Sequence, residues 1–321
     1  MKFLALICTL LLAAAASMAC AEDWPARPVR IIAPFAPGGT ADTVGRVVAE
    51  QLSETFQQQF FVENRAGAGG VTASLAVARM EPDGYNLVVS GIATHAIAPT
   101  LNPNTDYDPV KDFTHVAYFG GPPIVLIVPA GLGVNTLSGL VDYAKARNEI
   151  LTFASPGTGT SGHLVAEYFA RKAGIKIEHV PYRGAAPGVM DVVAGHLRFG
   201  SMTWTTASGQ ISAGTVVPLA VSAPERLADF PAIPTFKEAG YPDLVSTTWF
   251  ALAGPARLPD GIVQKLDREV IRILAKPEVL ARLKTEQILT EPMTPEELTR
   301  FVATEVARWR PLAEEIRSKA N

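Results

Sequence analysis

Cysteine is nearly absent from this 321-residue chain. The only two, Cys8 and Cys20, fall within the first twenty positions. From Ala21 onward no disulfide, thiol nucleophile or thiolate metal site can be built, so the fold must rest on packing alone. Charge is sparse as well, at 18% of residues, with 28 basic against 31 acidic side chains and a formal net charge of −3. No run of Lys and Arg interrupts this balance, which argues against a nucleic-acid partner. Histidine is scarce and scattered. His115, His179 and His196 show no i,i+4 pairing and no intervening Glu, so neither a metal nor another cofactor is expected. A nucleophile elbow of the G-x-S-x-G kind is missing, and Ser161 and His163 are spaced so that they would not face each other on a helix.

Long apolar runs are also missing beyond the N-terminus. There, Lys2 precedes an apolar stretch from Phe3 to Ala16 and a small-residue segment ending Ala19-Cys20-Ala21. This pattern is that of a secretory signal peptide over residues 1–21, and the stretch falls short of the ~20 residues a spanning helix needs. Lipid attachment at Cys20 is the lesser alternative, because Ser17 stands where a bulky aliphatic residue is usual. Cleavage after Ala21 leaves Glu22 to Asn321, 300 residues with a net charge of −4 once Lys2 is removed. That length suits two domains of about 100–200 residues each, in an exported, soluble protein.

Apolar strand-like runs alternate with amphipathic segments nearly throughout, the pattern of an α/β fold with mostly parallel sheets. Strands are expected over 29–35, 60–64, 85–91, 151–155, 175–182, 197–204 and 216–223. Helices are expected over 41–56, 69–80, 137–146, 163–173, 187–195, 260–275, 277–285 and 295–318. Two long, nearly uncharged stretches, 116–131 and 247–259, read as extended. The segment "RIIAPFAPGGTADTVGRVVAEQL" resembles "LTFASPGTGTSGHLVAEYFARKAG" in layout, strand then Pro-Gly-Thr-rich loop then helix. The two extended stretches match each other in the same way. The chain therefore reads as two comparable lobes joined by two crossing segments, with a cleft between them, a favoured place for a ligand.

The glycine loop from Gly157 to Gly162 spells G-x-G-x-x-G between a strand and a helix, with Glu178 further on, as a dinucleotide-binding fold would have it. A simpler reading competes. Backbone N–H groups freed by glycine, at the opening of a helix carrying about half a positive charge, form an anion cup without Lys or Arg. The first lobe offers Gly38, Gly39 and Thr40, with Asp42 as a first-turn cap. The second offers Ser155, Gly157, Thr158, Gly159, Thr160 and Ser161. Two such cups facing each other suit a small carboxylate. Either loop could instead be a plain strand–helix turn using glycine for left-handed angles. Thr94 and His95 in "GIATHAIAP" and Arg183 in "VPYRGAAPGVMD" follow strands and are candidates for the cleft. Trp204 and Trp249 could wall a pocket or fill the core. "ENRAGAGG" is a third glycine-rich turn, placed at the cleft rim.

Taken together, "WPARPVRIIAPFAPGGTAD", "VENRAGAGG", "PDGYNLVVSG", "YDPVKDFTHVA", "FASPGTGTSGHL", "VPYRGAAPGVMDVVAG", "LAVSAPER" and "WFALAGPARLP" resemble the substrate-binding receptors of tripartite tricarboxylate transporters, the Bug family. The resemblance runs from Trp24 to about Trp309. It implies a periplasmic two-lobe binding protein of type II (a Venus flytrap), monomeric and without catalysis, that delivers an organic carboxylate to a membrane permease. On that pattern, residues 22–122 and 232–321 form lobe one and 123–231 lobe two. The resemblance places one ligand carboxylate between Phe35, Ala36, Pro37, Gly38, Gly39 and Thr40 on one side and Ser155 to Thr160 on the other. His163 lies behind the second loop, and the family's "VPY-K/R-G" turn maps onto Val180 to Gly184. This chain departs from the family at the distal end. Arg198 stands where an acidic residue is frequent, and Met202 and Thr203 replace an Asp-Asn-like pair. An ammonium-bearing ligand is thereby disfavoured, and Met202 with Trp204 is expected to suit an apolar or aromatic body. An exported hydrolase or dehydrogenase, or the same fold feeding a signalling partner, are the competing readings.

Overall fold

The computed structural model describes residues 24–102 and 105–320; the expected signal peptide and Cys20 lie outside them. Two five-stranded sheets carry the fold. Strands β1 (Val29–Ala33), β2 (Phe60–Asn64), β3 (Asn86–Gly91), β4 (Phe113–Gly120) and β10 (Phe250–Pro255) make the first, in the order β2-β1-β3-β10-β4. The second contains β5 (Ile124–Pro129), β6 (Leu151–Ser155), β7 (Ile177–Pro181), β8 (Phe199–Thr203) and β9 (Val216–Val221), in the order β7-β6-β8-β5-β9. In each sheet four strands run the same way and one runs against them: β10 against β3 and β4, and β5 against β8 and β9. The central strands are buried on both faces, as expected where helices cover both sides, and their runs "VRIIA" and "IVLIVP" are correspondingly apolar.

Helices α1 (Thr40–Phe56), α2 (Val71–Ala78), α3 (Ala98–Leu101), α4 (Leu137–Arg147), α5 (Ser161–Ala173) and α6 (Ala185–Val193) follow in chain order. They are succeeded by α7 (Trp204–Ser212), α8 (Asp260–Leu274), α9 (Pro277–Thr285) and α10 (Pro295–Ala320). In α1 the residues Val44, Val47, Val48 and Leu52 form one buried stripe against the first sheet, the 3.6-residue period at work. Helix α5 begins at Ser161, two residues before its expected start, because the Thr160 hydroxyl accepts from the His163 N–H and caps it. Helix α6 begins at Ala185, since Pro187 is tolerated in a first turn. Two elements had no sequence signal: α7, and a turn of π-helix at Ala93–Ile97 leading into α3.

The stretch 116–131 is not one strand but two, parted at Gly121–Pro123, where the chain passes between sheets. The return passage pairs with it at Pro123–Thr247, and a third segment joins at Gly121–Leu289. The packing leaves no room for a side chain: a methyl on Gly121 would lie 1.9 Å from the Thr248 carbonyl oxygen. The return crossing falls at Thr247, later than residue 231. Ile233, Phe236 and Leu244 are buried against the second lobe, so the stretch 232–246 packs there and not in the first. Among the described residues, no helix is long and apolar enough to cross a membrane.

Candidate functional site

Both glycine loops sit at the carboxyl ends of parallel strands, the favoured ligand position in open α/β sheets, and the fold turns them toward each other. The loop after β1 is braced from behind. Asp42 accepts from the Gly38 N–H at 3.0 Å and, on its other oxygen, from Arg46 Nε and Asn64 Nδ2 at 2.9 Å each. Asn64 also donates to the Phe35 carbonyl at 3.0 Å. Burial alone would raise the Asp42 carboxyl pKa, but the hydrogen bonds from Arg46, Gly38 and Asn64 outweigh it and hold it below the usual value. The loop after β6 is closed by Ser155, whose hydroxyl accepts from the Gly157 N–H at 3.1 Å and lies 2.7 Å from His179 Nε2. The Gly159 N–H donates to His163 Nδ1 at 3.2 Å. The rings of His163 and His179 stack at 4.1 Å. Burial pushes His163 down to about 4 and, helped by its neighbour, His179 down to about 3, so both are neutral bases near pH 7.

The lobes are drawn together over these loops. Thr40 Oγ1 donates across to Thr203 Oγ1 at 2.9 Å, and the Ala36 N–H to the Arg183 carbonyl at 2.8 Å. Gly69, in the third glycine-rich turn, abuts the second loop so closely that a methyl there would lie 2.3 Å from the Thr158 carbonyl oxygen. Between the lobes lies a small cavity, with about 40 Å³ open to the centre of a water molecule. Phe35, Gly39, Thr40 and Ala41 line it from the first loop, and Pro156, Thr160, Ser161 and Gly162 from the second. Val89, Ile92, Thr94, Ile124, Thr248 and Phe250 floor it near the crossings, and Ala185 and Thr203 complete it.

Its electrostatics come from helix ends rather than ions. Helices α1, α5, α6 and α7 all start at this wall. Those of α1, α6 and α7 have no side-chain cap and each start carries a partial positive charge, though at α7 the Trp204 N–H donates to the Pro123 carbonyl at 2.9 Å. The Ser161 and Thr248 hydroxyls, both on the lining, are buried without a hydrogen-bond partner. Among the described residues, no ionisable side chain lines the cavity. The arrangement is an anion receptacle built from backbone amides and hydroxyls.

The sequence carries the matching family mark: residues 44–317 fit the model of the tripartite tricarboxylate transporter family receptor. The chain belongs to that family. Protein BugT of Bordetella pertussis is 33% identical over 300 residues, covering 93% of this chain and 92% of that one. Among solved structures, an R. palustris protein with adipate is 32% identical with a TM-score of 0.88, covering 91% of this chain and 98% of that one. MatC from Rhodopseudomonas palustris with bound malate is 31% identical with a TM-score of 0.86, covering 91% and 100%. The two-sheet architecture is thus the family's periplasmic binding protein fold.

Within this receptor fold the expected residues divide by position. Phe35, Gly39, Thr40, Thr94, Thr160 and Thr203 reach the cavity. Ala36, Pro37, Gly38, Gly157, Thr158, Gly159 and Gly184 form the loops around it without lining it, and the Arg183 side chain is exposed while its carbonyl ties the lobes. Asp42, Ser155 and His163 support the loops from behind, so Asp42 is a brace and not the helix cap it was expected to be. His95 is buried behind Thr94, 2.8 Å from its hydroxyl and edge-on to Phe113 and His115; its pKa falls well below the usual value through burial and the neighbouring His115. Met202 and Trp204 do not wall the cavity. Alternation along β8 turns Thr203 inward and Met202 to the opposite face, while Trp204 opens α7 and packs in the core against Phe230. Trp249 is buried too, against Phe301. The apolar walls are instead Val89, Ile92, Ile124 and Phe250, which looked like ordinary strand residues. A mid-strand residue gives no sequence signal until the return crossing is known.

Proposed function

We propose that this chain is a periplasmic receptor, exported by a cleaved signal peptide, that captures a small organic carboxylate and hands it to a tripartite tricarboxylate-type membrane permease. The observation that carries this reading is the convergence of four helix starts and two unpartnered buried hydroxyls on one cavity between the lobes. A carboxylate entering it satisfies donors from both lobes at once, so its binding energy favours the closed arrangement over any open one. The Rhodopseudomonas relatives with adipate and malate support the ligand class. The lining offers no general base and no nucleophile–base pair, so the reading is binding without chemistry. The dinucleotide alternative loses its ground because the 157–162 loop faces Gly69 of the other lobe and leaves no space for a pyrophosphate. The protein acts as a monomer, and the closed lobes present the surface that the permease reads.

A thermal-shift screen of the protein from Glu22 onward against organic acids, amino acids and NADH tests this. A ligand specific to the native state stabilises it by RT ln(1 + [L]/Kd), about 4 kcal/mol at a thousandfold excess over Kd. A carboxylate is expected to raise Tm by several degrees with NADH inert; a shift with NADH alone overturns the reading.

A further inference from the structure

Within the receptor reading, on which the following rests, we propose that His163 is the positioning residue that holds the second loop in its ligand-ready shape, and that protonating its ring and seating the carboxylate exclude one another. Helix α5 opens with a variant of the capping box, in which the cap residue and the third helical residue satisfy each other's backbone N–H groups. The hydroxyl of Thr160, the cap, accepts from the His163 N–H at 3.4 Å. The reciprocal arm is displaced by one residue. The Thr160 N–H is taken by the Gly157 carbonyl, and the His163 ring accepts from the Gly159 N–H at 3.2 Å instead. Glutamate or glutamine ordinarily fills this helix position. Here it is histidine, so the cap can titrate. Thr160 and Ser161, which line the cavity, stand between the two ends of the box.

Only the neutral ring fits the box. Nδ1 accepts from Gly159, so the ring proton sits on Nε2, 3.8 Å from Glu167 Oε1. A proton on Nδ1 would face the Gly159 N–H donor to donor. It would also charge a buried ring stacked 4.1 Å from His179. The pair borders a second cleft, distinct from the ligand cavity, whose walls come from both lobes. The second lobe gives it His163, His179 and Arg171, and the first gives it Leu101, Leu312 and Ile316. Arg171 on α5 pairs across it with Glu315 on α10, and Arg317 lies on the same wall. Helix α10 packs on the first sheet through Phe301 and Tyr118, so parting the lobes carries its wall away from α5 and wets the His163 ring. In the closed structure burial holds that ring down to about 4; once wetted it returns toward the ordinary 6.5. The open receptor then takes up a proton that the closed one refuses. Carboxylate affinity is therefore full above pH 6.5 and falls as pH drops toward 4.

Titration calorimetry of the protein from Glu22 onward with malate and adipate, at pH 7.5 and 5.5, tests this beside two variants. The parent is expected to bind severalfold more weakly at pH 5.5, by at most about tenfold. His163→Ala removes the acceptor and should weaken binding about tenfold at pH 7.5. His163→Gln keeps an acceptor at the box position but cannot titrate. It should restore most of that loss and show a shallower pH dependence than the parent, the remainder being the ligand's own protonation. Equal pH dependence in the parent and His163→Gln, or His163→Ala binding as tightly as the parent, overturns the proposal while the receptor reading stands. Binding of NADH and of neither acid sinks both. Where no probe binds, NMR of the ligand-free protein with nitrogen-labelled histidine decides. An Nε2–H tautomer at pH 7, with a Gly159 amide resonance that moves as the ring titrates, supports the box; an Nδ1–H tautomer overturns it.

Discussion

The indole N–H of Trp249 donates to Glu305 Oε2 at 3.0 Å. Trp249 lies on the return crossing between the residues that floor the cavity, and Glu305 lies on the last helix, so this one bond fastens α10 to the crossing. The same carboxylate oxygen accepts from the Trp309 indole at 3.0 Å, and its partner oxygen from Arg308 at 3.2 Å. Glu305→Ala leaves a buried indole N–H unsatisfied and removes an ionised acceptor, and is expected to cost about 3 kcal/mol of stability. Urea denaturation at pH 7 measures this. A loss below about 1 kcal/mol would mean that water replaces the carboxylate.

Gly69→Ala tests the closed state. Its methyl would meet the Thr158 carbonyl oxygen at 2.3 Å, and φ is +64°, which costs a non-glycine residue roughly 1 kcal/mol. The lobes remain folded but cannot seat, so ligand affinity should drop by about a hundredfold or more with only a modest change in the unliganded melting temperature. Equal affinity in the variant would show that the Gly69–Thr158 contact is not needed for binding.

The stacked imidazoles set an acid limit on the fold. His163 and His179 titrate at about 4 and about 3 when folded, chiefly through burial, against an ordinary 6.5. Both are held neutral, so below pH 6.5 the unfolded chain binds protons that the folded chain refuses. Stability is therefore complete above pH 6.5 and declines as pH falls toward 4. His95 and His115, also buried and lowered, add to the same decline. Urea midpoints across pH 4–7 should fall steadily in the parent protein and less steeply in His179→Phe; an unchanged slope in that variant would exclude His179 as a contributor.

Asp42 acts in a lower window. Although burial raises its pKa, the bonds from Arg46, Gly38 and Asn64 prevail and lower it, so the carboxylate stabilises the fold above its unfolded value near 3.9 and loses that contribution as pH drops through the folded value. Asp42→Asn should cost about 1–2 kcal/mol at pH 7 and flatten the stability profile below pH 4. It should also loosen the Gly38 loop and weaken carboxylate binding severalfold, as titration calorimetry would report.

Much of this organisation is legible in the residues themselves. Runs such as "VRIIA" and "LTFAS" are too apolar and β-branched for anything but buried strands, and the Pro-Gly-Thr loops after them announce helix starts. The resemblance to the Bug receptors lies in those same loops. Other features had no local signal. Helix α7 spells "WTTASGQIS", polar and β-branched, and forms because the second sheet gives it a wall. "ATHAI" is buried on all sides, polar Thr94 and His95 included, so no amphipathic stripe marks its helical turn. Phe236 and Leu244 are isolated apolar residues among prolines and glycines, so the packing of 232–246 on the second lobe had no periodicity to reveal it. The cavity's apolar floor depends on which strand neighbours which across the crossing, a relationship between distant residues that spacing along the chain does not encode.

The segments that pass between the sheets, at Gly121–Pro123 and Thr247–Thr248, are paired with each other, and Leu289 lies beside them. A single tether would let one lobe swivel freely about the other. A laced ribbon has one soft degree of freedom, a bend about the axis across it. The receptor reading then expects opening and closing to trace an arc and not a wobble, with the angle between the lobes gauging whether the cavity is filled.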